Sequence, residues 1–172
     1  MTNNWFECKV KYQKLSEQGL VKNVNEPYLV QAVSFSDAES RINKEMEPYI
    51  SGDFSVTNIK IANYSELFPG EKGDRWFKCK VSYITIDEER GLERKSNTNM
   101  LVRASSVKEA YDNLENEMRN TVSDYVISAV QESMIMDVFP FDNSGLVIKR
   151  EKPTPLQPSE DFENEDFEEV KE

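Results

Sequence analysis

Histidine is absent from this 172-residue chain, cysteine occurs twice and glycine six times. Without imidazole the commonest general base and metal ligand are missing, and histidine-based catalytic triads are excluded. Two cysteines alone make no recognisable zinc site. No phosphate-cradling loop occurs, because Gly70-Glu71-Lys72-Gly73 is too short and precedes a strand pattern instead of a helix. No apolar run approaches the ~18 residues that span a membrane, and no apolar leader follows Met1, which predicts a cytoplasmic protein. Carboxylates are so frequent that a pair such as Asp37 and Glu39 specifies nothing, and Asp87, Glu88 and Glu89 read as an ordinary hairpin turn. The expectation is a non-enzymatic binding protein with no catalytic residue, cofactor or metal.

Apolar residues still make up 38% of the chain, enough to build a core. The net charge of -11 is unevenly spread. Residues 153–172 hold eight acids against Lys171, so only about four negative charges remain on the rest. Cys8 and Cys79 sit inside apolar strand patterns and read as core thiols.

An internal repeat organises the chain. Trp5-Phe6-Glu7-Cys8-Lys9-Val10-Lys11-Tyr12 returns as Trp76-Phe77-Lys78-Cys79-Lys80-Val81-Ser82-Tyr83, 71 residues later. The offset becomes 72 beyond a one-residue insertion, matching Val30 to Val102, Ala38 to Ala110 and Met46 to Met118, then returns to 71 at Phe68-Pro69 and Phe139-Pro140. Each copy reads as strand, strand, helix, strand. The first strands (4–14 and 75–86) alternate apolar and polar residues, and glycine-ended turns at 16–19 and 88–91 lead to second strands near 21–33 and 93–104. Pro27 marks an edge or a bulge. Ser36 with Glu39 and Ser106 with Glu109 have the spacing of capping boxes. Ala38, Ile42 and Met46, like Ala110, Leu114 and Met118, give each helix one apolar stripe. Third strands are expected at about 54–63 and 125–136, and a short final one at 145–149.

The predicted fold is α+β, a tandem duplication of a β-β-α-β unit with mainly antiparallel sheets and one helix packed on one face of each. The units are 1–64 and 76–152, joined by a connector at 65–75 and followed by a disordered acidic tail at 153–172. So small a unit has little core of its own, which predicts packing about a pseudo-twofold axis.

The segments Trp5-Phe6-Glu7-Cys8-Lys9-Val10, Glu26-Pro27-Tyr28-Leu29-Val30, Ile50-Ser51-Gly52-Asp53-Phe54-Ser55-Val56 and Met136-Asp137-Val138-Phe139-Pro140 resemble a bacterial and phage family known as domain of unknown function 4494. The resemblance covers roughly residues 4–142 and implies a cytosolic protein of a bacterium or phage. It brings no activity and no site residues.

With Phe6, Cys8, Val10 and Tyr12, and their counterparts Phe77, Cys79, Val81 and Tyr83, assigned to the helix, strand parity sends the alternate residues to the other face. That face would carry Trp5, Lys9 and Lys11 in one unit and Trp76, Lys78 and Lys80 in the other, extended by Arg94, Lys95 and Arg103. Rings that stack on bases beside amines that neutralise phosphate are the chemistry of single-stranded nucleic-acid binding. The competing reading places the tryptophans in the interface between units.

The tail opens with Pro153, Pro155 and Pro158 and sets Phe162 and Phe167 among its acids. It is similar to the acidic tails of single-stranded-DNA-binding proteins, which compete for the basic surface and recruit protein partners, although this chain ends in Val-Lys-Glu instead of an aromatic residue. Single-stranded DNA binding regulated by the tail is therefore the leading expectation. The alternatives are a protein-interaction module, such as a phage or mobile-element factor acting on a host protein, and a nucleotide-sized ligand at the repeat junction. Self-association into a homo-oligomer stays open, and no membrane partner is expected.

Overall fold

The structure, a computed structural model, describes residues 4–141. The expected strand at 145–149 and the acidic tail, with Phe162 and Phe167, lie outside the described residues. The elements run β1 (Asn4–Leu15), β2 (Val21–Ala32), α1 (Phe35–Met46), β3 (Phe54–Ala62), β4 (Glu66–Phe68), β5 (Arg75–Asp87), β6 (Leu92–Ala104), α2 (Val107–Met118), β7 (Tyr125–Glu132) and β8 (Val138–Phe139). This is the expected α+β duplication, with one added strand at the end of each repeat.

The added strands are exchanged. One sheet has the order β3-β1-β2-β8 and the other β4-β6-β5-β7. Thus β4 leaves the first repeat to pair in parallel with β6 of the second, and β8 returns to pair in parallel with β2. The topology is symmetric under interchange of the repeats. Each exchanged strand donates one apolar side chain to each face of its host sheet. Phe139 joins the helix-side core of the first repeat, against Tyr28, and Phe68 packs on that of the second. Burying one such phenylalanine contributes about 1.5–3 kcal/mol.

The connector at 65–75 is therefore partly strand, a difference from expectation. β4 has only three residues, too few for an alternation to show in the sequence. Pro27 fits for a reason of direction. The Leu29 N–H donates outward to the Asp137 carbonyl, and Pro27, two residues earlier, faces the same side, so its missing N–H removes no bond from the β1 ladder.

Each helix buries its expected stripe, Ala38, Ile42 and Met46 or Ala110, Leu114 and Met118, against Phe6, Cys8 and Val10 or Phe77, Cys79 and Val81. Ser106 caps α2, its hydroxyl accepting from the Glu109 N–H at 3.1 Å. The cap of α1 is Ser34, accepting from the Asp37 N–H, not Ser36 with Glu39. The Asp37 carboxylate closes the turn by accepting from the Val33 N–H.

Close approach shapes the connector. Gly73 has φ +124°, and a Cβ there would lie 2.7 Å from the Ala104 backbone. Only glycine lets the chain enter β5 so near the end of β6.

Candidate nucleic-acid interface

The helix-free faces of the two sheets meet in a third apolar cluster. Its buried members are Leu29, Trp76, Leu101, Ile135 and Val138, with Trp5, Ala62, Tyr64 and Leu67 packed at its margin. Leu67 and Val138 reach it from the exchanged strands. Trp76 is 3% exposed and Trp5 is half-buried. The expectation of two solvent-facing indoles is corrected here. Trp76 is walled in by apolar neighbours, and a base could stack on it only if the cluster opened. Of the two readings of the tryptophans, interface packing describes Trp76.

Beyond this cluster, cross-strand register defines the rest of the same face. Lys9 lies opposite Pro27 and Asn58, and Lys11 opposite Asn25 and Ser55. In the second repeat Lys78 lies opposite Leu101 and Gln131, Lys80 opposite Asn99 and Ala129, and Lys95 opposite Ile84. Lys11, Lys80 and Lys95 are exposed, while Lys9 and Lys78 are half-buried. None of these five makes an ion pair or side-chain hydrogen bond among the described residues.

Two expected members do not join them as free cations. Arg94 lies opposite Thr85, on the helix side of its sheet, and pairs with Asp87 at 3.4 Å. The register at a tight hairpin puts alternate residues on opposite faces, so Arg94 and Lys95 cannot share one. Arg103 is on the right face but serves the fold, donating to the Gly70 carbonyl just beyond β4 at 3.3 Å. Gln31 occupies the equivalent position in the first repeat and accepts from the Phe141 N–H just beyond β8. Both exchanged strands are thus clasped by the strand they join.

The sequence reading missed Lys60, which stands on β3 opposite Glu7 and pairs with it at 3.5 Å. It also missed a feature shared by both edge strands. The register slips between Lys9 and Val10 in one sheet and between Lys80 and Val81 in the other, leaving Thr57 and Ser128 as the extra residues. The Thr57 hydroxyl donates to Asn25 Oδ1 at 3.0 Å. Ser82 donates to Asn97 Oδ1 at 2.7 Å, leaving Ser128 as donor in its 2.6 Å contact with Ser82. The hydroxyl pair at the 71-residue offset was visible in the sequence, but its meaning depends on the register.

Charge is segregated by face. The helix-free faces carry Lys9, Lys11, Lys60, Lys78, Lys80, Lys95 and Arg103, against Glu7 and, at the second hairpin tip, Glu93. The helices show the opposite balance, seven acids, among them Glu39, Glu45, Asp112, Glu115 and Glu117, against the three bases Arg41, Lys44 and Lys108. The thiols offer no reactivity: burial, then Glu7, pushes Cys8 up to about 12, and burial pushes Cys79 up to about 11. No group of three potential metal ligands gathers among the described residues. The junction is filled by its apolar cluster, and two shallow, open hollows lie at the first hairpin tip.

These features define a class: a duplicated α+β protein, its repeats locked by exchanged strands, with amine- and amide-bearing sheet faces. The chain belongs to the family described as Domain of unknown function (DUF4494), whose model matches residues 4–141. No curated protein and no solved structure matches it. No helix among the described residues is long and apolar enough to cross a membrane.

Proposed function

We propose that this chain is a non-catalytic binding protein for single-stranded nucleic acid, held on the helix-free sheet faces and regulated by the acidic tail. The observation that carries the reading is the segregation of charge. A body with about four net negative charges presents faces with seven basic side chains and two acids. Lys9 and Lys11, like Lys78 and Lys80, stand two residues apart on one strand, roughly 7 Å along a phosphate chain. Asn25, Asn58, Asn99 and Gln131 stand opposite them, and such amides hydrogen-bond base edges that an unpaired strand leaves free. In this version phosphate contacts dominate and stacking on Trp76 has no part.

The test is fluorescence anisotropy with labelled oligonucleotides, using the full chain and a chain ending at residue 152. If four lysines are engaged, affinity for a single strand falls about 50-fold between 50 and 200 mM salt. Removing the tail strengthens binding, and glutamine at Lys9, Lys11, Lys78 and Lys80 abolishes most of the salt dependence. Absence of salt-dependent affinity in the tail-less chain refutes the proposal.

A second reading, a protein-interaction module, is favoured by the apolar side chains around the β7–β8 crossing. Met134 is 81% exposed, Met136 49% and Phe141 41%. It predicts a partner whose capture is lost on Met134→Ser with Met136→Ser, and no oligonucleotide affinity.

A further inference from the structure

The two hairpin tips occupy equivalent places but differ in chemistry. At the first, Leu15 is 48% exposed, Leu20 63% and Val21 64%. They line two adjoining shallow hollows together with Val24, Lys14, Lys22 and the polar turn residues, among which Glu17 is the one acid. Lys22 has no ion-pair partner among the described residues, and Lys14 reaches Glu26 at 3.5 Å. The second tip exposes Ile86 and Leu92 among four acids, Asp87, Glu88, Glu89 and Glu93, and two bases, Arg90 and Arg94, the latter held by Asp87. The first tip is an apolar floor with two lysines and one acid at its rim; at the second, acids outnumber bases four to two.

An occupant complementary to the first tip has an apolar ring flanked by carboxylates. The chain's own tail has two: Phe162 between Asp161 and Glu163, and Phe167 between Asp166 and Glu168. The described chain ends at Phe141, and the 21 residues from there to Phe162 span up to about 70 Å, so length sets no barrier. We infer that the acidic tail docks on the first hairpin tip, with Phe162 or Phe167 against Leu15, Leu20 and Val21 and its carboxylates against Lys14 and Lys22. The second tip, where acids outnumber bases and Arg94 is already paired with Asp87, is the poorer match for the same segment. Leu15 lies four residues beyond Lys11 on β1 and, by strand parity, on the same face, so a ring held there brings the tail's negative charge to the end of that surface. The inference rests on the regulatory role given to the tail above, but not on what the lysine faces bind.

The test needs no nucleic acid. Glu165→Cys gives the full chain one accessible thiol for a nitroxide, because Cys8 and Cys79 are fully buried. The expected result is paramagnetic loss of the amide signals of residues 15–22, with those of 86–92 retained. The signals return in about 1 M salt, where the screening length is about 3 Å, and in the Leu20→Asn, Val21→Asn variant. Equal losses at both tips, losses centred on Lys78 and Lys80, or no losses overturn the proposal. So do losses that pass from a nitroxide-bearing chain to an isotope-labelled one lacking nitroxide, since a second copy would then be the occupant. Oligonucleotide binding can fail while these losses persist, and the reverse, so the two proposals stand or fall separately.

Discussion

Trp5 and Trp76 hold the same place in the two repeats, yet Trp76 is 3% exposed and Trp5 is half-buried. The cluster between the sheets has Trp76 among its buried members and Trp5 at its margin. The junction buries Leu29 and its counterpart Leu101 alike, yet encloses only one of the two indoles. Away from the junction the repeats agree closely, in helix stripes, bulges, caps and exchanged strands. At the junction and the hairpin tips, where each copy meets different surroundings, they part. Equivalence of residues in the sequence is therefore evidence for equal scaffold, not for equal exposure.

The largest expected effect breaks or upholds that contrast directly. Trp76→Ala empties part of a closed cluster and should cost about 3–5 kcal/mol in urea unfolding. Trp5→Ala, at the margin, should cost roughly half as much. Equal costs would mean that the two rings are equally enclosed.

The next contrast is between two glycines. Gly73 and Gly52 have similar positive φ values, +124° and +116°, but a Cβ on Gly52 meets nothing within 4 Å while one on Gly73 strikes the Ala104 backbone. Both alanine variants carry backbone strain of about 1–3 kcal/mol. Gly73→Ala adds the displacement of β6 from β5 and should be the worse of the two by about 1–2 kcal/mol. Comparable midpoints for both would show that the approach at Ala104 can relax.

Much of this fold was legible. The repeat placed every long strand within about one residue at its start, and alternation named the helix-side core from Phe6 through Tyr12 and from Phe77 through Tyr83. The repeat also points to the true cap of α1, since Ser106 minus the 72-residue offset is Ser34, whereas the Ser36–Glu39 spacing points two residues too far along. The exchange of β4 and β8 was not legible, because strands of three and two residues carry no period. Exposure on the helix-free face was half legible. Parity put Trp76 and Lys80 on one surface, but which of them another sheet covers depends on packing between repeats. Arg94 failed for a plainer reason, since it neighbours Lys95 on one strand and so must face away from it.

A smaller asymmetry tests how the first repeat closes its core. Glu26 Oε2 accepts from the Tyr12 hydroxyl at 2.7 Å and the Tyr28 hydroxyl at 3.0 Å. The corresponding positions in the second repeat are Tyr83, Thr98 and Met100. Glu26→Leu strands two part-buried hydroxyls and should cost about 1–3 kcal/mol. Thr98→Val should change stability by about 0.5 kcal/mol or less.

The smallest effect is silent at neutral pH and emerges in alkali. Burial raises Tyr12 and Tyr28 above the ordinary phenol value, with Glu26 adding to both, and burial also raises Cys8 and Cys79. Above the unfolded values, about 8.5 for thiol and about 10 for phenol, the unfolded chain sheds protons that the folded chain keeps. Stability is therefore complete below about pH 8.5 and falls as pH rises through the folded values. Three of these four groups lie in the first repeat. Tyr12→Phe with Tyr28→Phe should flatten the decline between about pH 10 and 11.5, because phenylalanine has no proton to lose in either state. Tyr83→Phe, whose partners in the second repeat include no carboxylate like Glu26, serves as the control. If both variants flatten urea midpoints alike across that range, the phenol–carboxylate cluster is not what distinguishes the first repeat's alkaline sensitivity.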